Sequence, residues 1–218
     1  FLSSGTTSAE KSPELRTLGT VFMEGLWFFA RESDLSATGL DGLRGKRISI
    51  GTEGSATRAM AETILRLNRF DMSSAELLRL TPQDAVQQLR RGDIHAAVIM
   101  TSADLPVVRE LLADPSIDLV SFPRAAAYVA LYPFLTQLTV PEGVRDLASN
   151  RPPHDVSIVG APVSLGVRAD LHPALQALLL SAASQIHAGP GMFNKAGRFP
   201  AAESIDVPLS DGAMQYFR

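Results

Sequence analysis

The 218-residue sequence contains no cysteine, which excludes disulfides, thiolate metal sites and a cysteine nucleophile together. No apolar run approaches the roughly 20 residues that cross a bilayer as a helix; "ALQALLLSAA" is interrupted by Gln176 and bounded by His172 and His187. Concentrated positive charge is also missing. The formal charge is −3 and the pI about 5.8, which argues against a nucleic-acid partner, since phosphate binding needs a Lys/Arg footprint. No His/Asp/Glu cluster has metal-ligand spacing and no serine sits in a GxSxG elbow, so neither a resident metal or cofactor nor a catalytic constellation is expected. The chain begins at Phe1 without an initiator Met or a signal peptide, and reads as a piece of a longer one.

What is present is ordinary globular composition, 45% hydrophobic and 20% charged, and a clear alternation of element patterns. "FLSSGTTSAEKSP" is polar and loop-like. "LRTLGTVFMEGLWFFAR" is rich in strand formers, with Gly19 and Gly25 at bulges or close backbone approaches. After the connector 32–45, "KRISI" reads as a short strand, and residues 56–69 put Met60, Ala61, Ile64, Leu65 and Asn68 mostly on one stripe of a helix. "AELLRL" is the next strand. Thr81 with Asp84 resembles a capping box for "PQDAVQQLRR", and Gly92 stops that helix.

"IHAAVIM" is a near-continuous apolar run of the kind buried on both faces of a sheet. Residues 104–113 form another helix and "IDLVSF" another strand. Such alternation implies a parallel or mixed sheet covered by helices. Beyond Pro123 the pattern loosens: "LTQLTV" is a strand, "GVRDLA" a short helix, "DVSIVGAPVSLGVR" two strands split by Pro162, and 172–187 an amphipathic helix. The Gly/Pro-rich tail is irregular, packed by Phe193 and Phe199.

The stretch "GTEGSATRA", residues 51–59, joins a strand to a helix at the edge where open α/β sheets bind ligands. It lacks the Lys-Ser/Thr pair of a phosphate loop and the third glycine of a dinucleotide fingerprint. Two readings stay open. In one, Ser55, Thr57 and free N–H groups cradle a small anion, which would offset the unfavourable placing of Arg58 in the first helical turn. In the other, Ser55 or Thr57 simply caps the helix and Arg58 pairs with Glu62. "TSAD", 101–104, emerges at the same edge if the strands are parallel. His95 and His187 read as structural.

Taken in order, "LGTVFMEGLWFFAR", "LRGKRISIGTEGSATRAMAETIL", "RRGDIHAAVIMTSAD" and "YPFLTQLTVPEGV" resemble the TAXI-type solute-binding subunits of tripartite ATP-independent periplasmic (TRAP) transporters. The resemblance implies a type II periplasmic-binding-protein fold: α/β, with mixed sheets, helices on both faces, and two lobes, the first of them incomplete here. It implies residues 1–22 as the end of the first lobe and a crossover strand, 23–134 as the second lobe, and 135–218 as the return strand and the C-terminal helical part of the first. A periplasmic binding module, not an enzyme, is then expected. It would capture a small organic anion, a carboxylate or an amino acid, for membrane transporter subunits, with a membrane tether outside this segment. Thr52, Glu53, Gly54, Ser55, Ala56, Thr57 and Arg58 would line one side, Thr101 and Ser102 the adjoining edge, and Glu24 and Trp27 the hinge, with Trp27 or Tyr128 as an apolar wall. The alternatives are the effector domain of a regulator or sensor, an α/β enzyme whose catalytic residues lie elsewhere, and a scaffold that has lost its ligand.

Overall fold

A computed structural model describes residues 1–31, 39–203 and 206–218; the first half of the connector expected over 32–45 lies outside them. Along the chain come β1 (Leu2–Ser3), β2 (Leu15–Ala30), β3 (Arg47–Ser49), α1 (Ala56–Leu67), β4 (Glu76–Leu78), α2 (Pro82–Arg91), β5 (Ala96–Thr101), α3 (Pro106–Ala113), β6 (Asp118–Leu119), α4 (Ala125–Leu131), β7 (Thr136–Val140), β8 (Val156–Arg168), α5 (Pro173–His187) and α6 (Asp211–Tyr216). The architecture is mixed α/β. Two compact units form: residues 1–24, 126–136 and 160–218 make the first, and 25–125 with 137–159 the second. The chain therefore crosses between units at 24/25, 125/126, 136/137 and 159/160.

In the second unit, β5 runs parallel to β3, which runs parallel to β4, while the Gly25–Ala30 part of β2 is antiparallel to β5. The register pairs Ile48 with Ala96 and with Leu77. All three parallel strands thus end at one edge, and the loops carrying Gly51, Leu80 and Ser102 leave from it. The apolar run of β5 is central because it is hydrogen-bonded on both sides; Ala96, Ala97, Ile99 and Met100 are buried. The expected stripe of α1 packs inward as Met60, Ala61, Ile64 and Leu65, while Asn68 is its C-terminal cap. In α2, Thr81 Oγ1 accepts the Asp84 N–H at 3.2 Å and Gly92 closes the helix with φ +80°.

In the first unit, β1 pairs antiparallel with β8. Leu18, Val167, Leu180 and Ala213 form a buried cluster there, with Leu165, Leu171, Leu209 and Phe217 packed around it. Gly19 and Gly25 are close approaches as expected: a Cβ on Gly19 would meet the Ala201 carbonyl, and one on Gly25 would come within 2.8 Å of Ile158 Cδ1.

Several expectations fail for local reasons. Pro162 does not split β8, because its carbonyl still accepts the Ser4 N–H at 3.0 Å from the β1 side. "GVRDLA" is not a helix: the Asp146 carboxylate accepts the Ala148 and Ser149 N–H groups and the Ser149 hydroxyl, a side-chain turn that competes with helical bonding. The first stretch is not all loop, since Leu2 and Ser3 pair with β8. The Gly/Pro-rich tail forms no helix or strand among its described residues up to Ser210, which then caps α6 by accepting the Ala213 N–H at 3.1 Å. Helix α4, carrying three consecutive alanines, was unforeseen. The helix expected over 104–113 begins at Pro106, which suits the first helical position. Helix α5 is not amphipathic. It buries Gln176, Leu180 and Ala183 and exposes Leu175, Leu178, Leu179 and Ile186.

Candidate functional site

Gly51 starts the turn into α1 with φ +88°, and a Cβ there would fall 2.9 Å from Ser55 Oγ and from Thr57 Cβ and Cγ2. Only glycine combines that backbone conformation with so close a return of the chain. Ser55 then occupies the N-cap. Its hydroxyl donates to the Thr52 carbonyl at 2.7 Å and accepts the Arg58 N–H at 3.2 Å, and its carbonyl takes the Ala59 N–H. Of the four leading N–H groups that a helix leaves without internal partners, those of Ala56 and Thr57 have no acceptor among the described residues. Thr57 is buried, and its Oγ1 accepts the Met100 N–H at 3.0 Å, bolting the first turn of α1 to β5.

A recess of about 50 Å³ opens beside this turn, lined by Ser49, Gly51, Thr52, Ser55 and Thr57 on one side and by Leu80, Pro82, Ala85, Val98 and Ile99 on the other. It matches a single head group such as a carboxylate. Pockets that enclose a whole ligand are far larger, about 300–1,000 Å³. The carboxyl-edge loops of β3 and β4 also meet at the surface, where Arg79 Nη1 lies 2.8 Å from Glu53 Oε2.

The other expected residues take varied places. Arg58 Nε is 2.9 Å from Glu62 Oε1, the competing pairing considered above, and its side chain is only 16% exposed. Its Nη1 is buried without a partner among the described residues. Glu53, Gly54, Ala56 and Arg58 do not line the recess, and neither do Thr101 and Ser102, which end β5 at the same edge. Ser102 Oγ accepts the Asp104 N–H, and the Thr101 carbonyl accepts the indole N–H of Trp27 at 2.9 Å. Trp27 is completely buried, its ring parallel to that of Phe29.

Glu24 and Tyr128 belong to the first unit. Burial pushes the Glu24 carboxyl above the usual carboxylate range, partly opposed by the Ser3 hydroxyl donating to it at 2.8 Å. Tyr128 is buried. His95 Nδ1 accepts the Arg47 N–H, and His187 stacks on Phe22 with its pKa lowered by burial, so both hold structure. Among the described residues no cluster of three or more His, Asp or Glu side chains could hold a metal, and no helix is long and apolar enough to cross a membrane.

Sequence reasoning overlooked Ser49, Leu80 and Pro82. Recognising the strands as parallel was the available signal, because it sends the loop after each of them to one edge.

A family model described as NMT1-like matches residues 3–218. The chain belongs to the NMT1-like family. Among solved structures it is similar to the periplasmic aliphatic sulphonate binding protein SsuA from Escherichia coli, at 17% identity over 80% of this chain and 49% of that one, with a TM-score of 0.46. It is also similar to an ancestral arginine-binding protein bound to glutamine, at 14% identity over 84% and 62%, with a TM-score of 0.48. A periplasmic binding protein from Brucella ovis with glutathione bound is similar at 16% identity over 84% and 44%, with a TM-score of 0.45. The chain thus covers 44–62% of the length of these proteins.

Proposed function

We propose that this chain is the ligand-capturing part of an extracytoplasmic solute-binding protein, and that the first turn of α1 holds the carboxylate of a small organic anion or amino acid. The reading rests on one observation: the Ala56 and Thr57 N–H groups have no acceptor among the described residues at the positive end of a 12-residue helix, and Thr57 lines a recess the size of one head group. Backbone donors at a helix N-terminus bind anions through both hydrogen bonds and the helix dipole. The Ser55 hydroxyl is spent on shaping the turn, donating to Thr52 and accepting from Arg58, whereas Thr57 Oγ1 accepts the Met100 N–H and keeps its own O–H as a donor beside the backbone N–H groups. Arg58, held by Glu62, acts at most through Nη1.

Membership in the NMT1-like family and the resemblance of the loop to TAXI-type subunits support a role in a TRAP transporter, in the periplasm, with membrane transporter subunits as partners and no chemistry performed on the solute.

The decisive experiment is calorimetry against a panel of dicarboxylates, amino acids and sulphonates, with Ala56→Pro as the variant. Proline suits the first helical position and removes only the N–H; Ser55, at φ −78° and ψ 151°, already has the conformation that precedes proline. A hydrogen bond to a charged group is worth about 1.5–3 kcal/mol, so affinity should fall roughly tenfold or more. Unchanged affinity would move the site elsewhere, and no binding to any organic anion would defeat the proposal.

A further inference from the structure

The exposed face of α5 has no role in the site above. Leu175, Leu178, Leu179, Ala182 and Ile186 stand at i, i+3, i+4, i+7 and i+11, a stripe about 100° wide that is separate from the side of the helix whose Leu180 packs with Leu18 and Val167. Leu178 is 66% and Ile186 72% exposed. The 15-residue helix contains no Asp, Glu, Lys or Arg. A solvated helix face ordinarily carries charge, whereas contiguous apolar patches of a few hundred Å² mark interaction surfaces.

We infer that this face pairs with the same face of a second copy of the chain, antiparallel across a two-fold axis. The spacing of the stripe is the first argument. Leu175, Leu179, Ala182 and Ile186 are separated by four, three and four residues, a palindrome and the alternation of a coiled-coil seam. Antiparallel alignment about the midpoint of 180 and 181 sets Leu179 against the partner's Ala182, large against small beside the axis, and Leu175 against the partner's Ile186 at each end. An isologous contact requires such self-complementarity.

Charge is the second argument. A two-fold axis brings each charge towards its own copy, and a helix without charges meets no repulsion there. The same absence disfavours an anionic bilayer, whose interfacial helices are rich in Lys and Arg.

Area is the third. The four large side chains present on the order of 400 Å² per copy; with the alanines and serines between them, the pair reaches roughly 1,000–1,200 Å², the low end for specific interfaces. The dimer is accordingly weak, with a Kd on the order of micromolar.

Sedimentation velocity of the full chain over about 1–100 μM tests this. The expected result is a monomer–dimer equilibrium insensitive to salt. Ile186→Glu, at an exposed position, should remove it. Leu179→Ala should weaken it at least about tenfold, and the exchanged pair Leu179→Ala with Ala182→Leu should recover most of that loss by restoring large against small. A monomer throughout the range overturns the inference, as does a dimer untouched by Ile186→Glu or an exchanged pair no tighter than Leu179→Ala alone. A chain that stays monomeric yet binds vesicles through α5 also overturns it. None of these outcomes bears on anion binding at α1, which lies in the other unit.

Discussion

Replacing Thr57 by valine keeps shape and volume close to the original while deleting the one atom that accepts the Met100 N–H. That N–H is buried in the central strand, and Thr57 Oγ1 receives it at 3.0 Å. Leaving a buried donor unsatisfied costs about 1–3 kcal/mol, the larger part of it desolvation not recovered by any new partner. For a chain of this size each kcal/mol shifts Tm by about 2–4 °C, so thermal unfolding should begin roughly 2–12 °C lower. Thr57→Ser keeps the oxygen and should lose much less. Because the chain forms two units, the more direct assay is residue-resolved hydrogen exchange: the Met100 amide should lose protection in Thr57→Val, together with the first turn of α1, and retain it in Thr57→Ser. If Thr57→Val stays within about 0.5 kcal/mol of the parent and Met100 remains protected, the hydroxyl is not the bolt between α1 and β5.

Two further outcomes follow from the first unit. Glu24 has its folded pKa raised by burial above the ordinary value near 4.5, so its carboxyl opposes folding increasingly as pH rises from about 4.5 through that folded pKa; Glu24→Gln should therefore be the more stable protein at neutral pH, with the advantage shrinking as pH falls through the folded pKa and lost below about 4.5, as chemical denaturation at pH 4 and pH 7 will show. In α5, Leu180 is fully buried and Leu178 largely exposed; Leu180→Ala should cost about 2–5 kcal/mol, whereas Leu178→Ser, measured dilute enough to keep the chain monomeric, should stay within about 0.5 kcal/mol.

Much of the second unit was legible because its information is local. Hydrophobic period placed α1, Thr81 with Asp84 and Gly92 marked where α2 begins and ends, and the near-continuous apolar run of β5 identified a strand buried on both faces. The glycine turn was legible too, since Gly51 at positive φ and Ser55 at the N-cap are one-dimensional signals of a shaped helix start. Arg58 was not resolved by the same means. Its position in the first turn is compatible with an anion ahead of it or with Glu62 one turn behind, and choosing between them depends on side-chain direction, which periodicity does not carry.

The less regular regions were misread wherever a single contact outweighed local preference. Pro162 continues a strand because β1 supplies the Ser4 donor, and 143–148 fold as a turn because Asp146 binds its own downstream amides. Helix α5 is the plainest case. With leucines on both its packed and its exposed side, the sequence determined that a helix forms there but held nothing to say which side packs. Sequence by itself determined the mixed α/β class, the helix starts and the glycine turn, because each is dictated by neighbours within a few residues. Only the tertiary structure decided that three parallel strands deliver their loops to one edge, that Arg58 turns to Glu62, and that α5 shows solvent its leucines. The first is a pairing of residues far apart in the chain, the second a choice of direction by one side chain, and the third a choice between apolar sides of a helix; none of them is fixed by spacing along the sequence.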